Sequence, residues 1–349
     1  MLHISRASAA RAARGLHSYC SVNGVRVDAA GAACSIWDVT FQRGDGAFEA
    51  MRVLPAEGAR PARPRASHLN LDRLERSAAG IRMPLPPRED VSRWLREAAA
   101  ATGEGYLRLI ATRGSAPGYG DHLGAELDAP PKVFIVWQPI PPRVASTSLC
   151  PMVAPWHPAG FSREWETVKW LSYGANMHCA RLAREAGYDQ ALLLRRDDAL
   201  RELAEMAGGD FRGLDDAAER DSSGGFGSLL GRHAVLDGPN FAVAWADASG
   251  ETLYTPSWRE LGLLQSTTLT LMLEAARRAG LNVDEGTHTL DDAQRTASEF
   301  FVLSTTRDLL PVHQVGDVAI PAVDGPVQAR LQAAMDALVE ELDEEEGPL

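Results

Sequence analysis

The sequence predicts two domains, each built from both helices and strands. Three features lead there. A chain of 349 residues is long enough to bury two separate cores. Strand-like runs alternate with stretches of helical period along its length. A segment carrying three prolines, "WQPIPPRVASTS" at 137–148, directly follows one of those strands, as a connection between lobes does. The boundary therefore falls near 145, leaving a tail over 1–20, an α/β domain over 21–145 and a second α/β domain over 146–345.

Each element has its own warrant. Alternating or continuous apolar runs predict strands at "YLRLIATRG" (106–114), "KVFIVWQPI" (132–140), "QALLLRR" (190–196), "FAVAW" (241–245) and "EFFVLST" (299–305). Helical spacing of apolar residues predicts helices at "NLDRLERSAAGI" (70–81), "EDVSRWLREAAAATG" (89–103), "ANMHCARLAREAG" (175–187) and "STTLTLMLEAARRAG" (266–280). The last two end on a glycine suited to a helix C-terminus. From Arg195 to about Arg232 the chain is rich in Gly, Ser and Asp after one short amphipathic stretch. Too few large apolar residues remain there to offset the entropy of ordering, so a disordered insertion is expected over about 197–231. The terminal "VEELDEEEGPL" reads as a solvated acidic helix end.

Composition narrows the function. A net charge of −12 argues against a nucleic-acid or anionic-membrane surface, since both reward basic patches. No apolar run approaches the roughly 20 residues of a membrane span. Cys20, Cys34, Cys150 and Cys179 lack metal-site or disulfide-framework spacing, and the nine histidines form no His-Glu-x-x-His pair, so no structural metal is expected. The N-terminal 22 residues carry Arg6, Arg11 and Arg14 among serines and alanines, with no acidic residue before Asp28. That is the composition of a mitochondrial or plastid transit peptide, or of a tail from an upstream start; without a transit peptide the location would be cytoplasmic. Small-molecule chemistry is left as the stronger expectation.

Lysine usage sharpens it. The chain holds 33 arginines and only two lysines, Lys132 and Lys169. A guanidinium supplies surface charge but stays protonated; a desolvated lysine amine can act as a nucleophile. Lys169 stands between Val168 and Trp170 on an apparent strand, where apolar neighbours would lower its proton affinity.

Around it, "VNG" (22–24), "SIWD" (35–38), "FQRGDGAFEAMRV" (41–53), "LDRLERSAAGIRMPLP" (71–86), "YLRLIATRG", "VKWLSY", "LDGPNFAVAW" (236–245), "LYTPSW" (253–258) and "STTRDLLPV" (304–312) occur in one order. That order resembles the class IV aminotransferases, the fold-type IV pyridoxal-phosphate enzymes, which include branched-chain and D-amino-acid aminotransferases and aminodeoxychorismate lyase. The resemblance spans about residues 21 to 340 apart from the insertion. It implies the D-amino-acid aminotransferase-like fold with the cofactor between two lobes, and a homodimer. It also implies a reaction that passes an amino group between an amino acid and a 2-oxo acid.

Residue by residue, the resemblance makes Lys169 the Schiff-base lysine and proton shuttle, and Tyr173 the partner of the cofactor's phenolic oxygen. Arg73, in "LDRL", matches a phosphate-binding arginine, with Asn70 where the family usually has histidine. Ser266, Thr267 and Thr268 at a helix start, and Thr305 after a strand, match further phosphate donors. A carboxylate must keep the pyridine nitrogen protonated. Glu202 has the family spacing from Lys169, whereas Asp237, followed by Gly-Pro-Asn240, has the family context, with aspartate in place of glutamate. Both stay open, and Asn240 joins the cofactor-binding set with them. Tyr106 and Arg108 resemble the pair that holds a substrate carboxylate in branched-chain enzymes, while "GPNFAVA" is closer to D-amino-acid enzymes. The substrate is thus a branched-chain L- or a D-amino acid. A C–C lyase and a degenerate homologue without activity are the alternatives.

Overall fold

The computed structural model of the protein describes residues 19–28, 31–115, 130–154, 168–195 and 230–345. The expected insertion, Glu202 and nearly all of the N-terminal tail therefore lie outside the described residues. The chain divides into two compact units: Met1–Arg143 with Thr167–Tyr173 and Val339–Leu349, and Val144–Glu166 with Gly174–Leu338. The short piece bearing Lys169 thus belongs to the first unit, although it follows the start of the second in sequence.

The first unit runs β1 (Cys20–Val22), β2 (Val25–Arg26), α1 (Val39–Arg43), β3 (Gly46–Leu54), β4 (Arg63–Pro64), α2 (Ser67–Gly80), α3 (Arg88–Thr102), β5 (Gly105–Thr112) and β6 (Val133–Gln138). Its six strands form one antiparallel sheet in the order β2-β1-β6-β5-β3-β4. Side chains alternate across a strand, so one face of the sheet carries Ala47, Met51, Leu107, Leu109, Val133 and Ile135. These pack with Leu71 and Leu74 of α2 and Val91, Leu95 and Ala98 of α3, which is why those helices need a single apolar stripe. The opposite face is only partly covered and presents Phe48, Tyr106 and Arg108, as cross-strand register requires: Phe48 opposes Ile110, Ala50 opposes Arg108, and Arg52 opposes Tyr106.

The second unit runs β7 (Thr147–Val153), α4 (Gly174–Glu185), β8 (Gln190–Leu194), β9 (Ala242–Ala246), β10 (Thr252–Pro256), α5 (Trp258–Leu261), α6 (Thr267–Arg278), β11 (Asn282–Gly286), α7 (Leu290–Thr296), β12 (Glu299–Ser304), β13 (Asp308–Val315), β14 (Val318–Ala319) and α8 (Pro326–Glu345), the last up to Leu338. Its mixed sheet has the order β11-β10-β9-β12-β13-β7-β8, with β14 paired to β13. Leu149, Leu192, Val243, Trp245, Phe300 and Val312 fill one core, and Ala183, Ala191, Leu193, Leu236 and Leu261 another. Buried Glu299 accepts the backbone N–H groups of Val327 and Gln328 at 3.0 and 2.8 Å, satisfying the start of α8.

All five expected strands and all four expected helices form, with ends shifted by a few residues. Gly187 and Gly280 follow their helices at φ +87° and +76°, the left-handed conformation that lets the chain leave a helix. Among the described residues nine further strands escape the pattern reading, and two of them show why. β3 is interrupted by a charged residue, Glu49, and β7 contains Pro151. The pairing of β7 to β13 ends at Leu149, so the missing N–H of Pro151 breaks no ladder bond there. Lys169 is not on a strand proper: its segment makes one bridge, Trp170 with Ala47, at the start of β3.

Candidate active site

In the first unit the Lys169 segment is held by backbone bonds on both sides. The Lys169 carbonyl accepts the Phe48 N–H at 3.1 Å, and Leu171 N–H donates to the Gly46 carbonyl at 3.0 Å. The Lys169 N–H donates to the hydroxyl of Ser77 on α2 at 3.0 Å. Since Trp170 bridges to Ala47, which faces the core, Lys169 takes the parity of Phe48 and faces the other way. Its Nζ stands 4.5 Å from the centroid of the Phe48 ring.

Phe48 is the hub of that face. The Arg108 guanidinium carbon lies 4.7 Å from the same ring centroid, and the Tyr173 ring meets it edge-on at 5.3 Å and 82°. The Nε of Arg108 is buried and has no hydrogen-bond partner among the described residues. Next along the face, the Tyr106 hydroxyl donates to Oε1 of Gln138, its cross-strand partner. Burial raises the Tyr106 phenol above its ordinary value, with Arg108 pulling the other way. The phenol therefore stays protonated, and a donor, at neutral pH. Three of the residues singled out from sequence, Lys169, Tyr173 and Arg108, meet at an aromatic ring that sequence reasoning did not single out, and a fourth, Tyr106, lies further along the same sheet face.

Arg73 is placed differently. Its Nε and Nη2 donate to the two carboxylate oxygens of Glu49 at 2.7 Å each, and Asn70 Nδ2 adds a bond to the same carboxylate at 2.8 Å. Glu49 opposes Leu109, which puts it on the core face, and the ion pair is 4% and 1% exposed. Two of the three guanidinium nitrogens are thus committed inside the sheet–helix layer. Glu49 was detectable: in "GAFEAMRV" it shares the parity of Ala47, Met51 and Val53, so a carboxylate there needs an internal cation.

The remaining predicted residues belong to the second unit. Ser266 caps α6, its hydroxyl accepting the Leu269 N–H at 3.2 Å, while Thr268 is buried and Thr267 half-buried. The N–H groups of Thr267 and Thr268, in the first turn, have no intrahelical acceptor and suit an anion. Asp237 is half-buried, its carbonyl accepting the Leu193 N–H at 2.8 Å, and the turn after it closes through Gly238 N–H to the Phe241 carbonyl at 2.9 Å with Asn240 exposed. Thr305 lies in the turn just after β12 and is half-buried.

Among the described residues no three His, Cys, Asp or Glu side chains are grouped to hold a metal, and no helix is long and apolar enough to cross a membrane. The donor set does fit an anionic carbonyl compound: an amine, an orphaned buried guanidinium nitrogen and a phenol share one face.

Solved structures share this fold. A hypothetical aminotransferase from Mycobacterium tuberculosis in its PLP-bound form superposes with a TM-score of 0.71 at 21% identity, over 93% of this chain and 99% of that one. The branched-chain aminotransferase of Thermoproteus uzoniensis with norvaline gives 0.71 at 19% identity, over 93% and 96%. The branched-chain amino acid aminotransferase of Escherichia coli gives 0.71 at 18%, over 93% and 95%. No curated protein sequence matches the chain. The family model of amino-transferase class IV, however, matches residues 46–207 and 224–315, well over half of the sequence, and the chain belongs to the class IV aminotransferases.

Proposed function

We propose that this aminotransferase uses pyridoxal 5'-phosphate to move the amino group of a branched-chain L- or a D-amino acid to a 2-oxo acid, with Lys169 as its catalytic residue. The observation that carries the assignment is the pairing on one ring: Lys169 Nζ at 4.5 Å and the Arg108 guanidinium at 4.7 Å from Phe48, with Arg108 Nε buried and unpartnered among the described residues. When bound, the cofactor supplies an electron sink for the charge left as the substrate's α-proton departs. Lys169 Nζ takes that proton and later returns it, so one amine serves as both base and acid. Arg108 binds the substrate carboxylate, for which a guanidinium whose buried Nε has no acceptor among the described residues is suited. Tyr106, held by Gln138, borders the carboxylate subsite, and Phe48 offers apolar surface to the side chain.

In this reading Tyr173 donates to the cofactor's phenolic oxygen, and Asp237 or Glu202, with Asn240 beside the former, keeps the ring nitrogen protonated. Thr267 and Thr268 donate backbone N–H groups to the phosphate, with Ser266 and Thr305 adding hydroxyls and Arg73 its positive charge. A homodimer is also part of it. Ile36, Trp37 and Phe41, each more than 60% exposed in the first unit, are apolar surface that self-association would cover, and a monomer in analytical ultracentrifugation would contradict that element.

Mixing the protein with pyridoxal phosphate should produce a visible absorbance band that a Lys169→Ala variant lacks. Adding L- and D-amino acids one at a time should bleach the band only for true donors, and a 2-oxo acid should restore it. Release of pyruvate from an amino donor with no acceptor present would instead indicate a lyase. A variant Lys169→Ala that keeps the band would remove the assignment.

A further inference from the structure

We propose that Ser77 is a positioning residue for Lys169: its hydroxyl fixes the backbone from which the catalytic amine projects. The inference rests on the reading of Lys169 as the catalytic lysine and goes beyond it, to how α2 aims that side chain.

Ser77 is fully buried, at 0% exposure, near the end of α2, and its Oγ accepts the Lys169 N–H at 3.0 Å. Serine is an indifferent helix former and gains nothing by burying a hydroxyl unless that group finds a partner. Ala78 and Ala79, its neighbours, show what the helix itself favours. The need for a hydroxyl therefore comes from outside the helix, and the peptide of Lys169 supplies the reason.

The segment it holds has little other regular support. Among the described residues, 168–173 form no ladder; their backbone meets β3 through the bridge of Trp170 to Ala47 and the bonds of Lys169 and Leu171, and the Ser172 hydroxyl donates to the Arg43 and Gly44 carbonyls further on. β3 pins the carbonyl side of Lys169 through Phe48, and Ser77 pins the N–H side, so the two peptide groups flanking its Cα are fixed by two different elements. Those elements are themselves cross-linked. Arg73, one turn before Ser77 on α2, holds Glu49, the residue after Phe48 on β3, through two bonds of 2.7 Å, and Asn70 adds a third at 2.8 Å and a fourth to the Ala50 carbonyl at 3.0 Å. The serine anchor is therefore rigid with respect to the strand that carries Phe48. A long, four-torsion side chain depends on its root for aim, and a reacting group displaced by about 1 Å loses up to about a hundredfold in rate.

The test compares wild type with Ser77→Ala, Ser77→Thr and Lys169→Ala. Five quantities are read: hydrogen–deuterium exchange of the 168–173 segment without added cofactor, the pH midpoint of the visible cofactor band, half-reaction kcat, half-reaction KM, and Tm. Ser77→Ala should speed exchange in that segment, shift the pH midpoint by about half a unit and lower kcat about tenfold with KM within about twofold. Ser77→Thr, which keeps the oxygen, should restore all three. If Ser77→Ala does not fold, Ser77→Cys, isosteric but a weak acceptor, should show the same changes. The inference is overturned if the alanine variant, or the cysteine variant in its place, loses only Tm while exchange, midpoint and kcat stay at wild-type values. Lack of a lysine-dependent band in wild type would instead bring down the catalytic reading, and this inference with it. A normal wild-type band with unaltered Ser77 variants brings down this inference alone.

Discussion

Two cationic side chains sharing one phenyl ring is an arrangement that needs a use. The Phe48 ring attracts both through its quadrupole, each contact being worth roughly 0.5–2 kcal/mol depending on desolvation, but the ring accepts no hydrogen bond from Arg108 Nε. An anion in that position satisfies the nitrogen and offsets the local positive charge. Arg108→Met should accordingly raise KM for the amino donor about a hundredfold, the loss of about 2.7 kcal/mol expected for a charge-assisted bond, while leaving the visible cofactor band in place. Equal losses of band and affinity would place Arg108 on the cofactor instead. Arg108→Lys should recover little, since an ammonium cannot reproduce a planar two-point contact.

At the scale of elements, α2 and β3 are joined by a charge pair inside an apolar layer. Removing Glu49 as Glu49→Ala strands the Arg73 guanidinium, 4% exposed, without its counter-ion, and should cost about 3–5 kcal/mol in urea unfolding. The start of α7 offers a separate check. Thr289 and Asp292 form a capping box, with the Thr289 hydroxyl accepting the Asp292 N–H at 3.1 Å and donating to Oδ2 at 2.7 Å. That hydroxyl chiefly, helped by Arg295, holds the Asp292 carboxyl below its ordinary 3.8. A value depressed in the folded state means the stabilisation is complete above 3.8 and disappears as pH falls through the folded value. Thr289→Ala should therefore cost about 1 kcal/mol at neutral pH, and the part carried by the carboxylate should fade as pH drops below the ordinary carboxylate range. A cost that persists undiminished in acid would contradict the linkage.

At the scale of the whole molecule, much of the architecture was written in local pattern. "YLRLIATRG" alternates because one face of β5 covers α2 and α3 while the other carries Tyr106 and Arg108, so the strand and the residues proposed for the site were legible together. What escaped depends on tertiary context. β3 reads as broken by Glu49 until Arg73, 24 residues away, is seen to neutralise it. Ser77 looks like a mid-helix accident until the Lys169 peptide, 92 residues on, reaches it. Nor could sequence order show that the Lys169 segment returns to the first unit, because that return is recorded in tertiary contacts: the bridge of Trp170 to Ala47, the backbone bonds to Gly46 and Phe48, and the bond to Ser77. The scarcity of lysine was the clearest single signal. It singled out one amine from a chain with 33 arginines, and the other lysine, Lys132, merely reaches the Ala33 carbonyl at 3.4 Å on an exposed loop.

That scarcity also makes the central claim easy to test. The protein loaded with pyridoxal phosphate is reduced with borohydride, digested and mapped by mass spectrometry, which fixes the cofactor to whichever amine holds it. The account predicts a pyridoxyl group on Lys169 alone; its appearance on Lys132 or the N-terminal amine with Lys169 unmodified would contradict it.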